Sequence, residues 1–301
     1  MKSHLFPHPS AKAKGFTLLE LMVAMSVTVI LLGMVTFMTG VSMDGYKGGR
    51  DKVLAGRQAK EALDAITKDF EVIVPKGVGM GLYADVEPAL VGDPVGVTNL
   101  AGPANKKITN ASRLIFFTFA RDLDPGEPGN NSTVCYRLAY RDQISPGTAA
   151  TGGTAANAVG PFPSFTLYRH LSKKGIGFDV KGETNLSILP EFDDSNVFVA
   201  ENVVAENIYE MTVTFLVQTP AGVERITIGQ QTSQHDEFTA ADDGLKVDGA
   251  LQDGDLVAVE INMTVLSERG LVMTEKGGMT REDIVKDYGI HYTHCINIMS
   301  F

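Results

Sequence analysis

From Phe16 to Met43 the chain is an apolar run holding one ionisable residue, Glu20. Leu21 to Met43 gives 23 consecutive uncharged residues. At 1.5 Å per residue that is a helix of about 34 Å, enough to cross a hydrocarbon core of roughly 30 Å. The run therefore predicts a membrane-spanning helix. Lys2, Lys12 and Lys14 lie ahead of it without an acid among them, which keeps the leading segment cytoplasmic and sends the rest across. A secretory signal has an apolar core of roughly 7 to 15 residues followed by a small-residue exit. This run is too long, and no Ala-x-Ala follows Met43. A plain signal anchor accounts for the span and the lysines but leaves Glu20 without a role, since a carboxylate at membrane depth is costly and normally has a partner.

Lys14, Gly15, Phe16, Thr17, Leu18, Leu19 and Glu20, followed by "LMVAMSVTVILLG", resemble the class III signal of type IV pilins and type II secretion pseudopilins. The resemblance covers about thirty residues. It implies that a prepilin peptidase cuts on the cytoplasmic side, between Gly15 and Phe16, and methylates Phe16, so that the apolar helix stays with the mature protein. Glu20 then lies about one turn from the new ammonium. There it offsets the charge at the helix start and pairs with the ammonium of a neighbouring subunit during assembly. The leader of fifteen residues is longer than the shortest in that family. Many main-fibre pilins carry a helix-weakening proline about twenty residues past the cleavage point. Here Phe37 stands in that region between Gly33 and Gly40, and each glycine weakens a helix by only about 1 kcal/mol.

Beyond the span, "DKVLAGRQAKEALDAITKDFEVIVP" places Leu54, Ala59, Ala62, Leu63, Ile66, Phe70 and Ile73 at helical spacing, with Lys60, Glu61, Asp64, Lys68 and Asp69 in other positions and Pro75 as the stop. Gly45, Gly48 and Gly49 suggest a bend between the two halves. After Pro75 the period shifts toward two. "RLIFFTFA", "TVCYRLAY", "SFTLYRHL", "NVFVAENVVAENIYEMTVTFLVQ", "ERITIGQ" and "DLVAVEINMTVLSE" read as strands. Glu201 to Glu210 also fits a short helical turn. "DLDPGEPGNN" and "SPGTAATGGTAANAVGPFP" read as loops. The order of the Tyr-Arg strand, the Glu-Asn-Val connection and the late alternating strand is similar to that of larger minor pilins and of the J-type minor pseudopilin of type II secretion.

With the three leading lysines set aside, 23 basic and 36 acidic residues remain, which argues against a broad nucleic-acid or anionic-lipid surface. The two cysteines, Cys135 and Cys295, leave two readings for an exported body: one disulfide, or two inert thiols. His291, His294 and Cys295 in "HYTHC" could supply metal ligands, yet residues three apart on a strand point to opposite faces, so ordinary strand residues are the competing reading. The acids Asp242, Asp243, Asp248, Asp253 and Asp255 could serve calcium or form a solvated surface; their spacing is not that of a regular calcium loop. His170 reads as structural. No Gly-x-Ser-x-Gly, His-Glu-x-x-His or phosphate-binding loop is present.

The expected fold is α+β and pilin-like, a long N-terminal helix packed on an antiparallel sheet body. The expected segments are a cytoplasmic leader (1–15), a membrane and assembly helix (16–44), its amphipathic continuation (45–75) and an exported β-rich body (76–301). The expected role is that of a minor pilin or pseudopilin that initiates or caps a filament, held in the bacterial inner membrane with a periplasmic body. Its expected partners are the prepilin peptidase, other subunits and the inner-membrane assembly platform. No catalytic residue, cofactor or nucleic-acid partner is expected. A membrane-anchored periplasmic enzyme or metal-binding domain, and a major pilin, are the alternatives.

Overall fold

The computed structural model describes residues 17–73, 81–86, 111–118, 132–141, 164–172, 192, 194–229, 235–241, 244–276 and 278–298. They divide into two compact units, Met1–Arg50 and Asp51–Phe301. Helix α1, Leu18–Glu71, begins in the first unit and ends in the second. Its helical assignment continues through Gly45, Gly48 and Gly49. Pro75, the expected stop, lies outside the described residues, and the helix gives way earlier, to a turn at Val72.

In the second unit, the described residues form two antiparallel sheets. The first has the spatial order β10 (Ala250–Gln252), β9 (Gly244–Val247), β8 (Glu237–Ala241), β1 (Leu82–Val86), β2 (Ser112–Thr118), β3 (Ser132–Arg141), β4 (Ser164–Leu171) and β5 (Val203–Glu206). The second has the order β12 (Gly289–Asn297), β11 (Asp255–Leu266), β6 (Ile208–Thr219) and β7 (Gly222–Ile228). Alternation tells the faces apart. Met211, Val213, Phe215 and Val217 of β6 and Val259, Ile261, Met263 and Val265 of β11 are buried in the main core. Between them Thr212, Thr214, Glu260 and Asn262 occupy the other face.

The first sheet is covered on both faces, which is why its central strands read as continuous apolar runs. From β3, Val134, Tyr136 and Leu138 enter the main core. Cys135 and Ala139 enter a second cluster with Phe192, Val197 and Phe198. Val197 ends a one-turn helix α2 (Asp194–Val197), Phe192 precedes it and Phe198 follows it, ahead of a 3-10 turn (Ala200–Asn202).

Chain crossings between the sheets need unusual backbone. Asn207, at φ +63°, separates β5 in one sheet from β6 in the other. The Glu201–Glu210 segment is thus a brief 3-10 turn followed by two strands, not one helical turn. Gly254, at φ +134°, precedes β11, and a Cβ there would sit 2.6 Å from the Gln218 carbonyl oxygen. Only glycine meets both conditions. Helices α3 (Glu268–Lys276) and α4 (Arg281–Tyr288) lie between β11 and β12.

Within the second unit, α1 buries Ala55, Ala59, Ala62, Ile66 and Phe70 in the main core. The three alanines let the helix approach closely, and Phe70 lies 4.2 Å from the Phe116 ring, centroid to centroid. Leu54, expected on this face, is exposed.

Asp69 also departs from expectation. Expected among the polar positions, it is buried because it continues the same 3- and 4-residue steps through Ala62 and Ile66. Burial is tolerated because its charge is matched. Arg169 donates from Nε (2.7 Å) and Nη2 (2.9 Å), and the Tyr136 hydroxyl donates at 2.5 Å. Burial, reinforced by the Asp69 charge, pushes the Tyr136 phenol well above its ordinary pKa and keeps it a donor. Thr118 Oγ1 donates to the carbonyls of Asp69 (3.0 Å) and Val72 (3.3 Å), capping the helix end. The architecture is the α+β, pilin-like one expected, a long apolar N-terminal helix and an antiparallel β body.

Candidate functional site

Gly15 and Phe16 lie outside the described residues, so the structural account of the N-terminal segment begins at Thr17. The Thr17 N–H donates to Glu20 Oε2 at 2.9 Å and Thr17 Oγ1 donates to the same oxygen at 3.0 Å. Glu20 N–H in turn donates to Thr17 Oγ1 at 3.3 Å. This is a reciprocal capping box. It explains why the helix opens at Leu18, and it gives the lone carboxylate of the apolar run a local function that sequence reasoning missed. The signal was available: Thr-x-x-Glu directly before an apolar run is a helix-start pattern. A carboxylate in the first turn also complements the positive end of the helix dipole.

The following turns present apolar side chains outward. Leu18 is 77% and Phe37 74% exposed, and the large apolar residues from Leu18 through Met43 are exposed throughout. Among the described residues, α1 is the one helix long and apolar enough to cross a membrane. Four of its hydroxyls are satisfied within the helix. Ser26 donates to the Val23 carbonyl, Thr28 to Ala24, Thr36 to Leu32 and Thr39 to Val35, each at 2.8 Å. Such back-bonding lets serine and threonine sit in lipid without an orphaned donor. Gly33, Thr36 and Gly40 leave a shallow groove flanked by Val29, Phe37 and Val41. Small residues of this kind let transmembrane helices approach closely.

The other candidates are dispersed. Cys135 and Cys295 form no disulfide. Cys135 is buried in β3 opposite Ile115 and His170, whereas Cys295 is exposed on β12 opposite Glu260, in the other sheet. Neither has the other as a strand neighbour, and a bridge requires Cα atoms within about 7 Å. His291 pairs with Thr264 and His294 with Ile261, so the pleat sends them to opposite faces of β12.

Among the described residues no three His, Cys, Asp or Glu side chains converge as a metal site. Asp242 and Asp243 lie outside those residues. Asp248 is engaged in a turn, accepting from the backbone of Asp236 (2.8 Å) and Glu237 (3.0 Å) and pairing with His235 at 2.9 Å. His170 shares a hydrogen bond with Asn202 Nδ2 at 3.1 Å and meets Phe192 edge-on.

The outer face of the second sheet holds a polar concavity of about 300 Å³. It is laced together internally: Arg225 to Glu260 (2.8 Å), Thr293 to Asn262 (2.8 Å), and Thr264 to Glu210 (2.6 Å). Arg281 of α4 also pairs with Glu210. His291 Nδ1 lies 3.0 Å from Thr264 Oγ1. The carboxylates are thus committed to arginine and hydroxyl partners, an arrangement that pins α4 to the sheet.

Residues 10–36 match the prokaryotic N-terminal methylation motif. The match spans the lysine-glycine junction, the capping box and the first turns of the apolar helix, and does not extend into the β body. No match is found among curated proteins or solved structures. The chain therefore carries an N-terminal segment of the kind processed in pilin and pseudopilin precursors, joined to an apolar helix suited to a single-pass membrane anchor.

Proposed function

We propose that the chain is the precursor of a minor pilin or pseudopilin. It is cut between Gly15 and Phe16, methylated on Phe16, and assembled through its apolar helix into a type IV pilus or type II secretion pseudopilus. The observation that carries this reading is the methylation motif over residues 10–36, which leads directly into an exposed apolar helix opened by the Thr17–Glu20 box. The proposed layout is a leader (1–15), a membrane and assembly helix (16–44), an amphipathic continuation (45–75) and a periplasmic body (76–301). The protein waits in the inner membrane with its leader cytoplasmic, and the assembly platform then draws it into the filament. Its work is structural, with the packing of helices in place of catalysis.

Glu20 has two successive roles in this reading. Before cleavage it caps its own helix through Thr17. After cleavage it also faces the Phe16 ammonium of a neighbour, an ion pair that gains strength in lipid. The groove at Gly33, Thr36 and Gly40 receives an adjacent helix.

Intact-mass measurement of the protein from a host with prepilin peptidase tests the processing step. The mature chain should begin at Phe16 and carry one methyl, and Gly15→Val should leave the full precursor in the membrane. A mature terminus beyond Met43 overturns the reading. Glu20→Leu should still be cut and membrane-inserted but should fail to enter filaments.

A further inference from the structure

Every open sheet has edges whose unpaired N–H and C=O groups can recruit another strand, and proteins ordinarily protect them by brevity, charge, proline or a cover. Among the described residues, three of the four sheet edges are protected. Strand β10 has three residues. Strand β5 has four, and the side chain of Gln58 on α1 accepts from its Glu206 N–H at 2.8 Å. Strand β7 carries Glu224 and Arg225. Among the described residues, strand β12 has none of these devices. It runs nine residues, about 30 Å, and Gly289–Ile298 contains no Lys, Arg, Asp, Glu or Pro.

The register says which groups face outward. The N–H of Ile298 donates to the Val257 carbonyl (3.0 Å) and that of Ser267 to the Tyr288 carbonyl (3.1 Å). With the β11–β12 pairing, this assigns the backbone groups of Ile290, Tyr292, His294 and Ile296 to β11. Those of His291, Thr293, Cys295 and Asn297 point away from β11, and all four residues are exposed. Thr293 and His291 are held from the side by Asn262 and Thr264, so the edge is pre-ordered.

We infer that β12 docks an extended, uncharged strand of a different filament subunit, extending the second sheet by β-augmentation. The inference rests on the subunit reading above. Charge selects the occupant. The edge itself carries no formal charge, so a charged residue in the incoming strand would be desolvated without a counter-ion, and a neutral one would not. With the leader removed, a second copy would bring together two chains that each hold 23 basic and 36 acidic residues, a net charge of −13, whereas another subunit need not carry that repulsion. Side-chain alternation sets the pattern. The incoming strand meets the polar face of Thr293 and Asn297 on one side and Tyr292 and Ile296 on the other.

Residue-resolved hydrogen exchange on the full chain, in detergent and in purified filaments, tests this. The amides of Tyr292, His294 and Ile296 should be protected in both states. Those of His291, Thr293, Cys295 and Asn297 should slow by about tenfold or more only in the filament. Thr293→Pro removes one outward N–H, and Cys295→Lys adds a charge while leaving the backbone intact. Both should lower incorporation by about tenfold while the inward amides stay protected. Outward amides that exchange equally fast in both states overturn the docking edge and leave the subunit reading standing. Absence of the chain from filaments overturns both. Oxidative cross-linking of Cys295 to Cys295 between two copies assigns the edge to self-pairing and overturns the choice of partner.

Discussion

Asp69 and Glu20 are carboxylates on the same helix whose neighbours give them different work. Asp69 is 6% exposed, with Arg169 bonded to both its oxygens. Glu20 is exposed and spends Oε2 on Thr17. Removing one member of a buried pair strands the other, which typically costs about 3 to 5 kcal/mol, while replacing both with apolar residues is often close to neutral. Asp69→Asn should therefore lower the stability of the body by about 3 kcal/mol, and Asp69→Leu combined with Arg169→Met and with Tyr136→Phe, which removes the hydroxyl that donates to Asp69, should recover most of that loss. The chain has no tryptophan, so urea unfolding of the full chain in detergent followed by tyrosine near-ultraviolet circular dichroism reads the change. A triple variant as unstable as Asp69→Asn would show that the cluster does more than neutralise itself. The Tyr-Arg dipeptide of β4 was legible as a strand. That its arginine meets an aspartate one hundred residues earlier was not, because sequence pattern carries no register between distant elements.

At the scale of elements, the turn from β9 to β10 is built on an acid. Asp248 adopts φ +49°. Burial alone would raise its pKa, but the hydrogen bonds from His235 and from the Asp236 and Glu237 amides together lower it. On β8, Glu237 lies directly opposite Asp85, and burial, with the Asp85 charge adding to it, pushes its pKa up.

The signs oppose. Folding tightens the proton on Glu237, so its contribution to stability grows as pH falls through its raised value. Asp248 holds its proton less tightly when folded, so its contribution is full above about pH 4 and is lost as pH falls further. Across pH 3 to 7, Glu237→Gln should flatten the gain on the way down to about pH 4.5, and Asp248→Asn should flatten the loss below about pH 4, both read as differences in urea midpoint from the parent chain. Identical pH profiles for parent and variants would remove this pair from the pH response.

Long apolar strands such as β2, β3, β6 and β11 were legible because burial wrote itself into composition. Strands β8, β9 and β10 were not, being only five, four and three residues long. Helices α3 and α4 were missed because they stay polar around much of their circumference, and the separation of Cys135 from Cys295 depends on which sheet each strand joins.

For the whole molecule, the helix and the body impose different spacings on a filament. Apolar helices pack with axes about 8 to 10 Å apart. A compact body the size of Asp51–Phe301 has an expected radius of gyration of about 18 Å, several times that spacing in diameter. A filament made mainly of such subunits would have to stagger or splay its helices to seat the bodies. Where few copies stand at an end, with neighbours missing on one side, the mismatch costs little. The proposed β12 docking edge suits the same position, because one heterologous strand contact joins two different subunits without having to repeat along a lattice. This chain should accordingly be present in purified filaments at well below about one-tenth of the main subunit, and its deletion should reduce filament number more than filament length. Quantitative mass spectrometry and counting by electron microscopy check the two halves of that expectation separately. Dominance of this chain in the filament would make it the main subunit and would require its helices to be staggered or splayed to seat the bodies, while leaving the processing of Gly15 and Phe16 untouched.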